Sequence, residues 1–252
     1  MKITVNHLAT SYNNTPILKD VSFEAAHGRF LGIIGPNGSG KSTLLKCIYR
    51  LQGIDEGEIL LDDVPLSEIP LKESAKKMAV VSQINDLNFD FTAMELVLLG
   101  RSPYKSFFES DTKEDYAMAR EALAEVGLLH KENHLLSQMS GGEKQRLILA
   151  RALVQNTETY LLDEPTNHLD IRHQLDLLAL MKKREVTVLA ALHDLNLASL
   201  YCDDLLALKD GRVVACGDTR EVLTKELIRE LYGVEAEIED HVEGRQIRFL
   251  PR

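Results

Sequence analysis

The eight residues GPNGSGKS, Gly35 to Ser42, constrain this chain more than any other stretch. They follow the apolar run RFLGIIG and lead into KSTLLKCIYRL, where Leu44, Leu45, Ile48 and Leu51 recur at the spacing of one helix face. Strand, glycine loop and helix in that order make a phosphate-binding turn. The glycines let successive backbone N–H groups point inward at phosphate oxygens. A helix terminus alone contributes only about 0.3–1 kcal/mol, so the concave set of amides and the lysine must supply most of the binding. Gly35, Pro36, Asn37, Gly38, Ser39, Gly40, Lys41, Ser42 and the following Thr43 are the expected nucleotide contacts. Lys41 is expected to reach the β- and γ-phosphates and Ser42 to ligate Mg²⁺.

TYLLDEP supplies what that loop lacks. It is an apolar strand ending in Asp163, placed to hold the Mg²⁺ shell, followed by Glu164. A glutamate just beyond a metal-binding aspartate can accept a proton from an attacking water, a role worth roughly 10²–10⁴ in rate. His193 closes VTVLAALHD at another strand end, on the edge where open α/β sheets bind ligands, within reach of the γ-phosphate and the water. Gln83, in VVSQ, also follows an apolar run and is a candidate contact to Mg²⁺ or the water.

With 252 residues and 44% hydrophobic composition the chain can bury one large core with an inserted subdomain. The opening third reads as strands, residues 92 to 155 as helices, and strands return at TYLLD and VTVLAAL around a helix over IRHQLDLLALMKK. This alternation is that of a parallel sheet interrupted by a helical block. The tail is expected to hold one helix over 220 to 232 and a final hairpin, without chemistry of its own. Lys plus Arg number 29 against 39 Asp plus Glu, a net charge of -10, which excludes a general attraction to nucleic acid or anionic lipid. The N-terminal residues lack a continuous apolar h-region, and the most apolar later stretch is interrupted by His193, Asp194 and Asn196, so a soluble, unexported chain is expected. Cys47, Cys202 and Cys216 have no paired or metal-ligand spacing and read as packed apolar residues in a reducing cytosol.

The ordered set GPNGSGKS, VVSQ, MSGGEKQR, YLLDEPTNHLD and ALHD resembles the ATP-binding subunit of an ABC transporter over essentially the whole chain. That resemblance implies an α/β fold: a P-loop NTPase core with an N-terminal antiparallel β subdomain and an inserted α-helical subdomain. The expected division is core and β subdomain over 1–85 and 156–216, helical subdomain over 86–155, and tail over 217–252. It further implies that Tyr12 stacks on adenine, that Gln83 links the site to a membrane partner, and that Asp170 lies at a dimer contact. MSGGE stands at the family's signature, usually LSGGQ, with Met139 for Leu and Glu143 for Gln. In family terms Ser140, Gly141 and Gly142 bind the γ-phosphate of ATP held by a second copy of the chain, packed head to tail. The residues alone give Ser140 and Glu143 another role, a capping box at a helix start. Glu143 also adds a negative charge near the phosphate, from which a weakened closed dimer is expected.

LLGRSPYKSFF, ALHDLNLASLYCD and DTREVLTKELIRELYGV are similar to ATPases of the importer group for iron siderophores, haem and cobalamin, with ferric siderophore the expected cargo. The implied partners are separate membrane permease subunits and, indirectly, a substrate-binding protein, with the ATPase at the cytoplasmic face of the membrane. Phe89, Phe91, Phe107 and Phe108 are candidates for the groove that receives a permease helix. A soluble ABC ATPase without a membrane partner, as in iron-sulfur cluster assembly, is the alternative. A P-loop kinase or nucleotide switch leaves MSGGE and NHLD without a role.

Overall fold

A computed structural model of the protein describes residues 1–82, 91–106, 108–167, 169–242 and 244–250. The N-terminal strands β1 (Ile3–Tyr12) and β2 (Thr15–Ala25) form a hairpin. With β4 (Glu56–Leu61) and β5 (Val64–Pro65) they make an antiparallel sheet of order β2-β1-β4-β5. A second sheet contains β3 (Phe30–Ile34), β6 (Met78–Val81), β7 (Thr159–Asp163), β8 (Thr187–Ala191), β9 (Asp204–Lys209) and β10 (Arg212–Asp218), in the order β10-β9-β3-β8-β7-β6. All pairings in it are parallel except β9 with the edge strand β10.

Every residue of β3 and of β8 is buried, as parallel strands covered on both faces require. Period-two alternation sorts their side chains into two cores. Leu31 and Ile33 face the antiparallel sheet and helix α1 (Lys41–Ile48), joining Leu44, Leu45, Ile48, Leu161, Leu189 and Leu206. Phe30 and Ile34 face the other way, among Tyr160, Leu162, Val188 and Ala190 and the helices beyond. Each fully buried Leu, Ile or Phe contributes roughly 1.5–3 kcal/mol.

Helix α2 (Leu71–Lys77) precedes β6. Between β6 and β7 the chain forms α3 (Ala93–Leu98), α4 (Lys113–Glu125) and α5 (Gly141–Leu153), which pack on one another. Thr92, Thr112 and Ser140 start them with capping boxes, through Glu95, Asp115 and Glu143. Arg101, in the 3₁₀ turn Leu99–Tyr104, pairs with buried Asp115 at 3.0 Å and lies 4.4 Å from the Tyr104 ring centre; Lys105 reaches the other Asp115 oxygen at 2.9 Å. The phrase RSPYK thus ties α3 to α4. Helices α6 (Ile171–Lys183) and α7 (Leu195–Tyr201) follow β7 and β8.

Three expectations fail. Leu51 does not extend the α1 face: the helix ends at Ile48, Arg50 turns with φ +66°, and Leu51 is 71% exposed. Cys216 is exposed on the edge strand β10, whereas Cys47 and Cys202 are buried. The tail forms two helices, α8 (Thr219–Val222) and α9 (Lys225–Tyr232), because Thr224 starts the second by accepting a bond from Leu227 N–H. A hairpin of β11 (Ala236–Asp240) and β12 (Arg245–Phe249) ends the described chain. Among the described residues no helix is long and apolar enough to cross a membrane.

Candidate nucleotide site

The carboxyl ends of β3, β7 and β8 meet at one edge of the parallel sheet, where open α/β sheets place their ligands. An open pocket of about 760 Å³ lies there, lined by Ile17, Asn37, Gly38, Gly40, Lys41, Ser42, Thr43, Glu164, Asn167 and His193. Gly35 leaves β3 with φ +148°, and a Cβ at this position would lie 2.1 Å from the carbonyl oxygen of Leu208. Gly40 enters α1 with φ +105°, its missing Cβ giving room to the Leu18 side chain. Only glycine permits both the turn and the approach.

The loop is built to bind an anion. Helix α1 has no side-chain cap, and among the described residues the amides of Lys41, Ser42 and Thr43 have no protein acceptor. The buried Ser39 hydroxyl, close against Gly35, also lacks a partner. Lys41 donates from Nζ to the carbonyls of Gly35 at 2.8 Å and Pro36 at 3.1 Å, and burial lowers its pKa. A phosphate beside the ammonium would offset that desolvation.

Ser42 Oγ donates to Asp163 Oδ1 at 2.7 Å, and burial raises the Asp163 pKa. A hydroxyl and a half-buried carboxylate at this separation are a hard oxygen donor pair. They fit Mg²⁺, which binds through one or two carboxylates together with substrate phosphates and water. Glu164 sits at φ +51°, a left-handed conformation that costs a non-glycine residue energy. Two donors hold its carboxylate: Asn167 Nδ2 to Oε2 at 2.6 Å, and the His193 Nε2 contact to Oε1 at 2.5 Å. The result is a fixed acceptor at the pocket wall, with the open space of the glycine loop beside it.

The ABC transporter family model matches residues 18–167. The ferric enterobactin transport ATP-binding protein of Escherichia coli strain K12 is 38% identical over 237 residues, covering 92% of this chain and 88% of that protein. The hemin import ATP-binding protein of Rhodococcus jostii strain RHA1 is 38% identical over 248 residues, covering 97% and 84%. The dimeric structure of a bacterial ABC transporter cassette superposes with a TM-score of 0.77 at 31% identity, covering 86% of this chain and 99% of that one. The chain belongs to the ABC transporter family. It is an ATP-binding and ATP-hydrolysing cassette.

Within the cassette, Ser140, Gly141 and Gly142 of the signature segment do not line the nucleotide pocket of their own chain. Ser140 Oγ accepts from Glu143 N–H at 3.3 Å, and Ser140 N–H donates to Glu143 Oε2 at 3.0 Å. Met139 is buried in the helical core. Asp170 starts α6, accepting from His173 N–H at 3.0 Å and lying 2.7 Å from His173 Nδ1. Tyr12 stands 65% exposed at the tip of the β1–β2 hairpin and does not line the pocket; Ile17, farther along β2, does. Gln83, Phe89 and Phe107 lie outside the described residues.

Sequence reasoning missed three residues of this ABC ATPase. Asn167, in the NHLD phrase, is legible as a polar residue three positions past Glu164. Ile17 carries no local signal. Tyr232, at the end of α9, accepts a hydrogen bond at its hydroxyl from Gly35 N–H at 3.0 Å, and burial raises its pKa to about 12. The tail therefore touches the loop that the sequence separates from it by almost two hundred residues.

Proposed function

We propose that this cassette is the motor of an importer, and that two copies close head to tail on two ATP molecules. The observation that carries this reading is the pocket itself, where Lys41, Ser42, Asp163, Glu164 and His193 converge beside unpartnered loop amides. In this reading Gly35 to Thr43 wrap the phosphates, and Tyr12 packs on the adenine. Ser42 and Asp163, with Gln83, would hold Mg²⁺, which when bound would neutralise phosphate charge. Glu164, held by Asn167 and His193, takes the proton from the attacking water, and His193 faces the γ-phosphate. Ser140, Gly141 and Gly142 reach the γ-phosphate of the second copy, and Asp170 lies at the contact between copies. Closure on ATP and release after hydrolysis drive the membrane partner.

Permease subunits dock on the helical region in this reading, and they in turn receive cargo from a substrate-binding protein. An open groove of about 720 Å³ is lined by Phe91, Leu98, Leu99 and Tyr116 together with Lys72, Lys105, Glu95 and Asp111. Apolar anchors among charged groups suit a short helix. The ferric enterobactin and hemin relatives support a ferric siderophore or related chelate as cargo, and a location at the cytoplasmic face of the membrane. The test is reconstitution in lipid vesicles with a ferric-siderophore permease. ATP-dependent uptake of ferric siderophore that stops when Mg²⁺ is chelated is the expected result. A cassette that hydrolyses ATP but joins no membrane protein would support the soluble alternative.

A further inference from the structure

The signature helix α5 begins with an acidic residue where the family usually has glutamine, and the structure contains an answer to that charge. Lys131 ends the one-turn 3₁₀ helix Leu129–Lys131, and its Nζ lies 2.6 Å from Glu143 Oε1. The other oxygen, Oε2, is held by Ser140 N–H at 3.0 Å. Both carboxylate oxygens are thus engaged, and the two side chains are only 24% and 19% exposed. Among the described residues Lys131 has no other acidic partner. The paired ammonium and the Ser140 amide hold the Glu143 carboxyl down to about 2. Among the described residues the amides of Gly141 and Gly142 have no protein acceptor, and they lie at an exposed helix start.

We propose that Lys131 is a positioning residue for the composite ATP site: it neutralises Glu143 and tethers it in the capping box. The free amides of Gly141 and Gly142 then meet the partner copy's γ-phosphate without a bare carboxylate beside them. This rests on the head-to-tail dimer proposed above. Without Lys131, the carboxylate sits on the same helical turn as those amides, and its repulsion of a phosphate weakens each site by roughly tenfold. A dimer with two such sites loses roughly a hundredfold. On this proposal the weakening of the closed dimer expected from Glu143 is offset by its pairing with Lys131.

The test uses the full-length chain carrying Glu164→Gln, which slows turnover, with MgATP in analytical ultracentrifugation. Adding Lys131→Met is expected to raise the dimer dissociation constant roughly a hundredfold. Adding Glu143→Gln to that variant should bring it back to within about threefold of the parent, and Lys131→Arg should stay near the parent. Fluorescent ATP binding to the monomer should be unchanged in all of them, because Lys41 is untouched. A purely structural role for Lys131 would lower the melting temperature without rescue by Glu143→Gln. That result, or a Lys131→Met variant that dimerises like the parent, overturns the inference. A parent that stays monomeric with MgATP overturns the dimer reading and this inference with it.

Discussion

Replacing Tyr232 by Phe removes one oxygen from the tail and leaves the ring packed where it is. The lost atom is the acceptor for the buried Gly35 N–H, 3.0 Å away at the first glycine of the phosphate loop. A buried donor left without an acceptor costs about 1–3 kcal/mol. Unfolding entropy of about 2.1 cal/mol/K per residue gives a 252-residue chain about 0.5 kcal/mol/K. The melting temperature should therefore fall by about 2–6 °C. The nucleotide effect has a separate origin. Gly35 sits at φ +148° against the Leu208 carbonyl, so loosening its amide loosens the turn that aims the following amides at phosphate. The apparent KM for ATP should rise several-fold while kcat changes little, because Glu164 and His193 are not displaced. Thermal melts with and without MgATP, together with steady-state phosphate release, measure both effects. An unchanged melting temperature, or a lower one with an unaltered KM, would refute the claim that the tail sets the loop.

Three further outcomes are expected. Gly35→Ala should abolish nucleotide binding by equilibrium dialysis, since the added methyl would sit 2.1 Å from the Leu208 carbonyl oxygen; retained binding would contradict the loop geometry. Leu99→Glu, in the groove of the helical region, should prevent copurification with the permease and leave ATP binding by the isolated cassette intact; loss of both would make the residue part of the core. Thermal stability should fall as pH drops below about 4.5, because Glu143 and Asp115 have pKa values lowered by their ion pairs and capping amides. A carboxylate with a depressed folded pKa stabilises above its unfolded value, and that stability is lost as pH falls toward the folded one. Asp163, raised by burial, acts in the opposite direction over part of that range. Glu143→Gln should flatten the acid limb, and an identical slope would count against the Lys131 pair.

The parts legible in the sequence were those whose signal is local. GPNGSGKS needs its glycines within eight residues of its lysine, and a parallel strand covered on both faces must read as an apolar run, as FLGII and TVLAA do. Serine or threonine followed three positions later by an acid marks a helix start, and Ser140 with Glu143 forms that box. What stayed hidden depends on contacts between distant segments. No spacing rule brings Tyr232 to Gly35 or Lys131 to Glu143, and both pairs exist only because the tail and the 3₁₀ turn pack as they do. Leu51 matched the helical period but stands beyond a left-handed turn at Arg50, which periodicity does not register. Cysteine is usually buried, yet Cys216 is exposed on an edge strand, a position its local sequence does not reveal.

If one chain holds only half of each ATP site, the mass in solution of the Glu164→Gln protein with MgATP must depend on Ser140. Twice the 28.3 kDa chain mass is expected for Glu164→Gln, with two ATP bound per dimer, and 28.3 kDa with ATP still bound once Ser140→Arg is added. A dimer indifferent to Ser140, or an ATP-loaded monomer in both cases, would contradict it.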